Sequence, residues 1–295
     1  MKTFTVLDQV ARLEDQEWLD PIAGATRNIV GALFRPQWLR DLLHGVPIGH
    51  PLHPLAAQIP LGLWAGAAGL DIVPGTEKAT TLLAGAGVLS ALPAASAGLV
   101  DWAQLDTKQS RTGVVHAACV VTATGIYALS FLQRARGRHA SGKLLGFAGF
   151  SVVLAGAFLG GHLSYRQTAG VNHTRDIEDT LPKGWHSLGR ADDLPNGELQ
   201  QRQVGDVRLV VLRTGSRVDA LSGVCSHLGG PLAEGALLVG PAGTGACVEC
   251  PWHKSVFSMR TGDVVHGPAT TPQPCLETMV QDGEVFARLA SANWD

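Results

Sequence analysis

The sequence contains Cys225-Ser226-His227-Leu228-Gly229-Gly230-Pro231-Leu232 and, further on, Cys250-Pro251-Trp252-His253, two stretches that each pair one cysteine with one histidine. The cysteine and histidine are two residues apart in the first stretch and three apart in the second, and 22 residues separate the stretches from His227 to Cys250. Glycine and proline favour tight loops in which backbone amides can point at sulfur. Each loop therefore offers a thiolate and an imidazole to a metal centre.

Two kinds of metal centre use two cysteines and two histidines. A structural zinc ion is bound tetrahedrally by such a set, but zinc fingers usually pair cysteine with cysteine and histidine with histidine. A Rieske-type 2Fe-2S centre binds one iron through two thiolates and the other through two imidazoles. Mixed loops therefore favour the iron–sulfur centre over zinc, and both over four ordinary core residues. The predicted ligands are Cys225, His227, Cys250 and His253.

The sequence around these loops, from Trp185 onward, is typical of an all-β domain. Short apolar or alternating stretches such as Val207 to Leu212 and Val285 to Leu289 are separated by turn residues, including Asn196-Gly197 and Asp282-Gly283. We expect the β domain to cover residues 185–295, after a solvated linker over residues 166–184.

The motifs resemble those of the Rieske ferredoxin family over about residues 185–290. The resemblance rests on the two Cys/His stretches and on Gly267-Pro268-Ala269. It implies that Pro268 lies in a third loop that covers the cluster, without being a ligand. It also implies that Ser255 can donate a hydrogen bond to a cluster sulfur.

Several positions depart from the family pattern. Gly230 and Trp252 stand where high-potential members have the cysteines of a disulfide, and Phe257 stands where they have a tyrosine hydroxyl. Lys254 replaces the glycine that usually follows the second histidine ligand. We therefore expect a midpoint potential in the lower half of the Rieske range of about −150 to +300 mV.

The other three cysteines are expected to be small buried residues and not ligands. They are Cys119, Cys247 and Cys275. Cys247 and Cys250 have a C-x-x-C spacing, but alternating positions of a strand would direct them to opposite faces.

Four long runs before residue 165 carry almost no charge. They cover about residues 54–73, 79–100, 112–133 and 144–161, close to the roughly 20 apolar residues that a spanning helix needs. A soluble Ala/Gly-rich helical domain with such runs would have almost no polar outer face. We predict a four-helix transmembrane domain over residues 49–165 of a multi-pass protein of the bacterial cell membrane. Residues 1–48 are expected to form an amphipathic segment at the lipid surface.

The stretch His50-Pro51-Leu52-His53-Pro54 resembles the signature of an uncharacterised family of bacterial four-helix membrane proteins. Asp101-Trp102 and Gly160-Gly161-His162 extend this resemblance, which covers about residues 40–170. It implies a fold but no activity.

The same region is predicted to gather polar residues on one membrane face, because consecutive helices alternate in direction. These residues are His50, His53, Asp101, His116 and His162. Ionisable groups at membrane depth are commonly functional, and imidazoles from several helices could bind a haem or a metal ion. Two alternatives are a quinone pocket, in which His116 or His162 bonds the head group, and simple hydrogen bonding of helix ends.

The charge pattern limits the partners. The net charge is −2 and the basic residues are scattered, so the sequence lacks the basic surface of a nucleic-acid-binding protein. Two signals about the membrane orientation conflict. Basic residues in the loop 134–143 favour a cytoplasmic position for that loop, which would place the β domain on the opposite side of the membrane. The sequence contains no Arg-Arg pair of the kind that exports folded proteins, which favours a cytoplasmic β domain.

Together these patterns predict a membrane-anchored carrier of single electrons that exchanges them with a redox partner protein. One alternative is a quinone-linked oxidoreductase with a haem, metal or quinone site at the histidine face. A second alternative is an iron–sulfur redox sensor. A Rieske oxygenase would need a large further domain after the cluster.

Overall fold

The computed structural model describes residues 9–241 and 243–289, which divide into two compact units. Residues 9–43 and 51–169 form a helical unit, and residues 44–50 and 170–289 form a β unit. The predicted fold class, a helical region followed by an all-β domain, is confirmed.

The helical unit is built from helices joined by short turns. They are α1 (Asp20–Leu33), α2 (Gln37–His44), α3 (Leu52–Leu70), α4 (Glu77–Trp102), α5 (Thr107–Ala135) and α6 (His139–Tyr165). Within this unit α3 packs against α4, α4 against α5, and α5 against α6. The helix α5 begins before its apolar run because Asp106 accepts a hydrogen bond from the backbone of Gln109, whose side chain bonds back to Asp106.

Three of the helices, α4, α5 and α6, are long and apolar enough to cross a membrane, judged by length and composition. The helix α3 is not among them. It has 19 residues and includes His53, Gln58 and two prolines, which reduce its hydropathy. All four predicted helices are therefore present, whereas the number of membrane passes stays a prediction.

A buried ion pair ties one end of the helices together. Arg134 donates from Nη1 and Nη2 to the two carboxylate oxygens of Asp71 at 2.7 and 2.6 Å, and also to the hydroxyl of Thr80 and the carbonyl of Gly142. The side chains of Arg134 and Asp71 are only 2% and 6% exposed. The basic loop 134–143 therefore carries less free positive charge than its sequence suggests, since Asp71 neutralises one of its arginines.

The β unit contains two antiparallel sheets. Its strands are β1 (His186–Arg190), β2 (Leu199–Val204), β3 (Val207–Thr214), β4 (Arg217–Ser222), β5 (Ala236–Val239), β6 (Ala246–Glu249), β7 (Val256–Ser258), β8 (Val264–His266), β9 (Cys275–Gln281) and β10 (Glu284–Leu289). The six-stranded sheet has the order β1-β10-β9-β4-β3-β2, and the four-stranded sheet has the order β5-β6-β7-β8.

The segment 166–184 differs from the solvated linker expected from its charges. It contains the short helix α7 (Ile177–Thr180), and Ile177 and Leu181 are buried among core residues of the β unit such as Leu188. The charged residues Arg175 and Glu178 remain on its surface. Ile177 and Leu181 are four residues apart, so they share one face of the helical turn and pack together on the core.

Close packing in the helical unit depends on glycine. The rings of Trp64 and Tyr127 stack with centroids 4.4 Å apart, and Trp64 is 1% exposed. A Cβ atom added at Gly87 would lie 2.1 Å from Nε1 of Trp64, whereas one added at Gly62 would have no neighbour within 4 Å. Small residues of this kind let apolar helices approach each other closely.

We expect Gly87→Ala to destabilise the helical unit by about 1–3 kcal/mol, because the new methyl group overpacks the Trp64 site. The matched control Gly62→Ala should leave thermal stability in detergent unchanged or slightly higher, since alanine favours helix formation. Equal melting temperatures for the two variants would contradict this description of the packing.

Candidate metal centre

Three loops of the β unit bring the predicted ligands together. The first loop (223–231) follows β4, the second loop (250–255) joins β6 to β7, and the third loop (267–274) joins β8 to β9. Cys225 and Cys250 lie in one apolar core cluster with Leu232, Val248 and Phe257. The sheets thus fix the two cysteine-bearing loops through residues that pack beside the cysteines themselves.

The first and second loops close with the same pair of backbone hydrogen bonds. In the first loop, N–H of Cys225 donates to the carbonyl of Gly230 at 2.8 Å, and N–H of Gly229 donates to the carbonyl of Cys225 at 2.9 Å. In the second loop, N–H of Cys250 donates to the carbonyl of Ser255 at 2.8 Å, and N–H of Lys254 donates to the carbonyl of Cys250 at 3.1 Å. The two cysteines therefore start equivalent turns.

Equivalent turns require the same backbone conformation at the residue four positions after the cysteine, which is Gly229 in the first loop and Lys254 in the second. Gly229 has φ of 78° and Lys254 has φ of 63°, both in the left-handed region. Glycine adopts this conformation freely, while a lysine there is strained. The turn around Lys254 forms nevertheless, and its Nζ lies 2.9 Å from Oε1 of Glu249.

The four predicted ligands are arranged as a cysteine pair and a histidine pair. Cys225 and Cys250 are each 1% exposed, and both thiols are free of disulfides. The rings of His227 and His253 have centroids 5.1 Å apart, nearly perpendicular at 84°, and are partly exposed. The cysteines form the inner side of the site and the histidines its outer side.

Backbone amides surround the sulfur atoms. The N–H groups of His227 and Leu228 donate to the sulfur of Cys225, and those of Trp252 and His253 donate to the sulfur of Cys250. The hydrogen bond from the Cys225 thiol, together with these amides, lowers the pKa of Cys250. The same pairing and burial raise the pKa of Cys225. The surroundings thus favour the thiolate form at Cys250.

His227 has the protonation state that a metal requires. Burial, followed by the proximity of His253, lowers the pKa of His227 to about 3, so its imidazole is neutral at physiological pH. The Nδ1 atom of His227 is buried and has no hydrogen-bond partner among the residues that the structure describes. Buried polar atoms without partners are rare, and a bond to iron would satisfy this nitrogen.

The arrangement fits a two-iron cluster better than a zinc ion. Zinc would need four ligands around one point. In the described part of the chain, no three or more His, Cys, Asp or Glu residues gather where they could hold a single ion. A 2Fe-2S cluster needs two pairs of ligands at two irons, which the cysteine pair and the histidine pair supply.

The third loop is tied to both ligand loops. N–H of Ala269 donates to Oγ of Ser255 at 2.9 Å, and Oγ of Ser226 donates to the carbonyl of Thr271 at 2.8 Å. Nε2 of Gln273 donates to the carbonyl of Val224 at 2.9 Å. Because Ser255 accepts from Ala269, its own proton remains available to a sulfur atom. The roles of Ser255 and Pro268 stay predictions, although both residues belong to this network of loops.

The positions that differ from high-potential Rieske proteins have defined surroundings. A Cβ atom at Gly230 would lie 2.7 Å from Sγ of Cys250 and 3.2 Å from the ring of Trp252, so the first and second loops meet there. Phe257 is fully buried in the cysteine core and brings no hydroxyl group. Among the other cysteines, Cys247 is buried, and Cys119 and Cys275 are partly buried.

The five polar residues predicted at the membrane face belong to several elements. His53 and His116 have ring centroids 6.3 Å apart. His162 is buried with Nε2 3.6 Å from Oε1 of Glu14, a partner that the sequence did not indicate. Asp101 lies in the last turn of α4. His50 is the last residue of the segment 44–50, which belongs to the β unit.

We expect Cys250→Ala to abolish the Rieske EPR signal of the dithionite-reduced protein and to reduce bound iron to background. The control Cys247→Ala alters a cysteine three residues away on β6 and should keep the signal and about two irons per chain, as a 2Fe-2S cluster requires. Retention of the signal in the Cys250 variant would disprove the assignment of this ligand.

Comparisons with known proteins identify both parts of the chain. Residues 184–279 match the family described as "Rieske [2Fe-2S] domain", and residues 49–173 match "Predicted membrane protein (DUF2231)". The anthranilate 1,2-dioxygenase ferredoxin subunit of Burkholderia cepacia is 34% identical over 108 residues, which are 37% of this chain and 94% of that protein.

Other relatives match the same part of the chain. The cytochrome b6-f complex iron-sulfur subunit of Chlorobaculum tepidum is 27% identical over 35% of this chain and 53% of that protein. A solved ferredoxin of carbazole 1,9a-dioxygenase from Nocardioides aromaticivorans IC177 is 26% identical, with a TM-score of 0.33 over 37% of this chain and 100% of that chain. The chain thus belongs to the Rieske [2Fe-2S] family of electron-transfer domains through its β unit, and this domain follows a helical domain of the DUF2231 membrane-protein family.

Proposed function

We propose that this protein is a membrane-anchored carrier of single electrons, which enter and leave its cluster on the histidine side. The observation that carries the proposal is the orientation of the site. The cysteines are 1% exposed, whereas the histidines are partly exposed and His253 lies beside Trp252, with ring centroids 6.3 Å apart. Trp252 is itself 56% exposed.

The chain's own residues would hold the cluster and set its potential. Cys225 and Cys250 would bind one iron and His227 and His253 the other, and the cluster supplies the one-electron chemistry. The backbone amides at the sulfurs stabilise the negative charge of the reduced state. The buried cysteine side excludes water.

We further propose that the acceptor or donor is a separate redox protein and that the β domain lies on the cytoplasmic side. Ferredoxin subunits of dioxygenases are among the relatives, which supports exchange with a protein partner. This orientation opposes the charge of the loop 134–143, where the exposed residues Arg136, Arg138 and Lys143 favour a cytoplasmic loop.

A quinone-linked oxidoreductase is the second candidate. One observation favours it: an apolar groove of about 450 Å3 lined by residues including Val115, Ala155, Phe158 and Leu159, on the two helices that carry His116 and His162. Rapid oxidation of the reduced cluster by decylubiquinone in liposomes would support this function over the simple carrier. A redox sensor would instead bind a partner in only one oxidation state.

The midpoint potential tests the expected tuning of the cluster. We expect a value in the lower half of about −150 to +300 mV, because Phe257 supplies no hydroxyl to a cluster sulfur. Phe257→Tyr should raise the potential if its hydroxyl donates to the cluster, and Ser255→Ala should lower it by removing a donor. Phe257→Leu is the control and should shift the potential little. A wild-type value near the top of the range would contradict the proposal.

Electron exchange tests the exposed histidine side. We expect Trp252→Ala to slow reduction by an NADH-dependent flavoprotein ferredoxin reductase at least several-fold, with an unchanged midpoint potential, because a large aromatic contact beside His253 is lost. The control Val239→Ala removes another apolar side chain, 97% exposed on β5, and should leave the rate unchanged. Equal rates for both variants would place electron entry elsewhere.

A further inference from the structure

His53 and His116 are each bonded to a neighbouring helix through the same ring atom. Nδ1 of His53, on α3, lies 2.9 Å from the carbonyl oxygen of Ala94 on α4. Nδ1 of His116, on α5, lies 2.8 Å from the carbonyl oxygen of Gly156 on α6. A carbonyl can only accept, so both Nδ1 atoms carry the proton and both Nε2 atoms carry a lone pair. This is the tautomer that metal-binding histidines adopt.

Each contact depends on a glycine one helical turn after the carbonyl. The carbonyl of residue i in a helix normally accepts from the amide of residue i+4, which is Gly98 for Ala94 and Gly160 for Gly156. A Cβ atom at Gly98 would lie 2.7 Å from the His53 ring, and one at Gly160 would lie 3.3 Å from the His116 ring. The α3–α4 and α5–α6 hairpins thus repeat one arrangement of histidine, carbonyl and glycine.

The separation of the rings fits two ligands on opposite sides of one metal. A metal–nitrogen bond of about 2.0–2.1 Å places a metal roughly 3.2 Å from the centre of an imidazole ring. Two rings on opposite sides would then have centres about 6.4 Å apart, whereas tetrahedral ligands would be about 5 Å apart. The observed centroid distance is 6.3 Å, with the ring planes 84° apart.

The number of ligands distinguishes the kind of metal group. A bare zinc ion takes four ligands, with at least three from the protein. No three or more His, Cys, Asp or Glu residues gather at a single-ion site within residues 9–241 and 243–289. Haem supplies four equatorial nitrogens itself and takes only axial ligands from the protein. A pair of imidazoles is therefore sufficient for haem and insufficient for zinc.

We propose that the helical unit binds one haem, with His53 and His116 as its two axial ligands. The carbonyls of Ala94 and Gly156 hold the imidazoles in the ligating tautomer, and Gly98 and Gly160 leave space for the rings. This site uses none of the residues that would hold the 2Fe-2S cluster, so it stands or falls independently of the proposed function. If both are correct, the chain contains two one-electron groups.

The test uses the full chain, produced in cells supplied with 5-aminolevulinate and purified in detergent. We expect about one haem per chain by the pyridine haemochrome assay and a six-coordinate low-spin optical spectrum. His53→Ala and His116→Ala should each lose at least nine-tenths of this spectrum. The Rieske EPR signal of the same samples should be unchanged, which shows that the cluster site is intact, and a melting temperature close to that of the wild type shows that the helical unit has folded.

Two matched controls separate ligation from packing. His139→Ala alters a histidine at the start of α6 and should retain the haem spectrum. Gly98→Ala should perturb the spectrum by displacing His53, whereas Gly62→Ala, with open space at its Cβ, should not. Haem-free protein with a full Rieske signal would overturn the proposal, as would haem unaffected by both histidine variants. Stoichiometric copper or zinc that is lost in these variants would also overturn it.

Discussion

The β unit buries the sulfur atoms of Cys225 and Cys250, which would carry negative charge as ligands of iron. A buried charge is tolerated only where donors already point at it. The turns that begin at Cys225 and Cys250 provide these donors from the backbone, because the amides two and three residues after each cysteine aim at its sulfur. The bonds that close each turn are therefore as necessary to the site as the ligands.

The two units provide partners for their buried polar groups in different ways. In the β unit, side chains such as Ser226 and Gln273 bond to backbone carbonyls and hold the three loops together. In the helical unit, polar groups concentrate near the ends of the helices, where Arg134 pairs with Asp71. Between them, apolar helices approach through glycine, as at Gly87 beside Trp64. Each buried polar group in these examples has a partner from another element.

The sequence was sufficient to predict what short motifs and long periodic runs encode. The four candidate ligands could be selected because cysteine and histidine recur at fixed short spacings, and their role as ligands stays a prediction. The helices were predictable because uncharged runs of about 20 residues are typical of membrane-spanning helices. It did not predict the burial of Ile177 and Leu181, because the charged residues around them resemble a linker. It also did not predict that the backbone carbonyls of Ala94 and Gly156 accept hydrogen bonds from histidines. Every residue has a backbone carbonyl, so such a contact has no sequence signature.

The left-handed backbone at Lys254 makes the two halves of the iron site unequal. The first loop has glycine at this position and forms its turn without cost, whereas a non-glycine residue in this conformation costs on the order of 1 kcal/mol or more. The first loop is therefore the better preorganised half, and bonds to iron would have to stabilise the second loop more than the first.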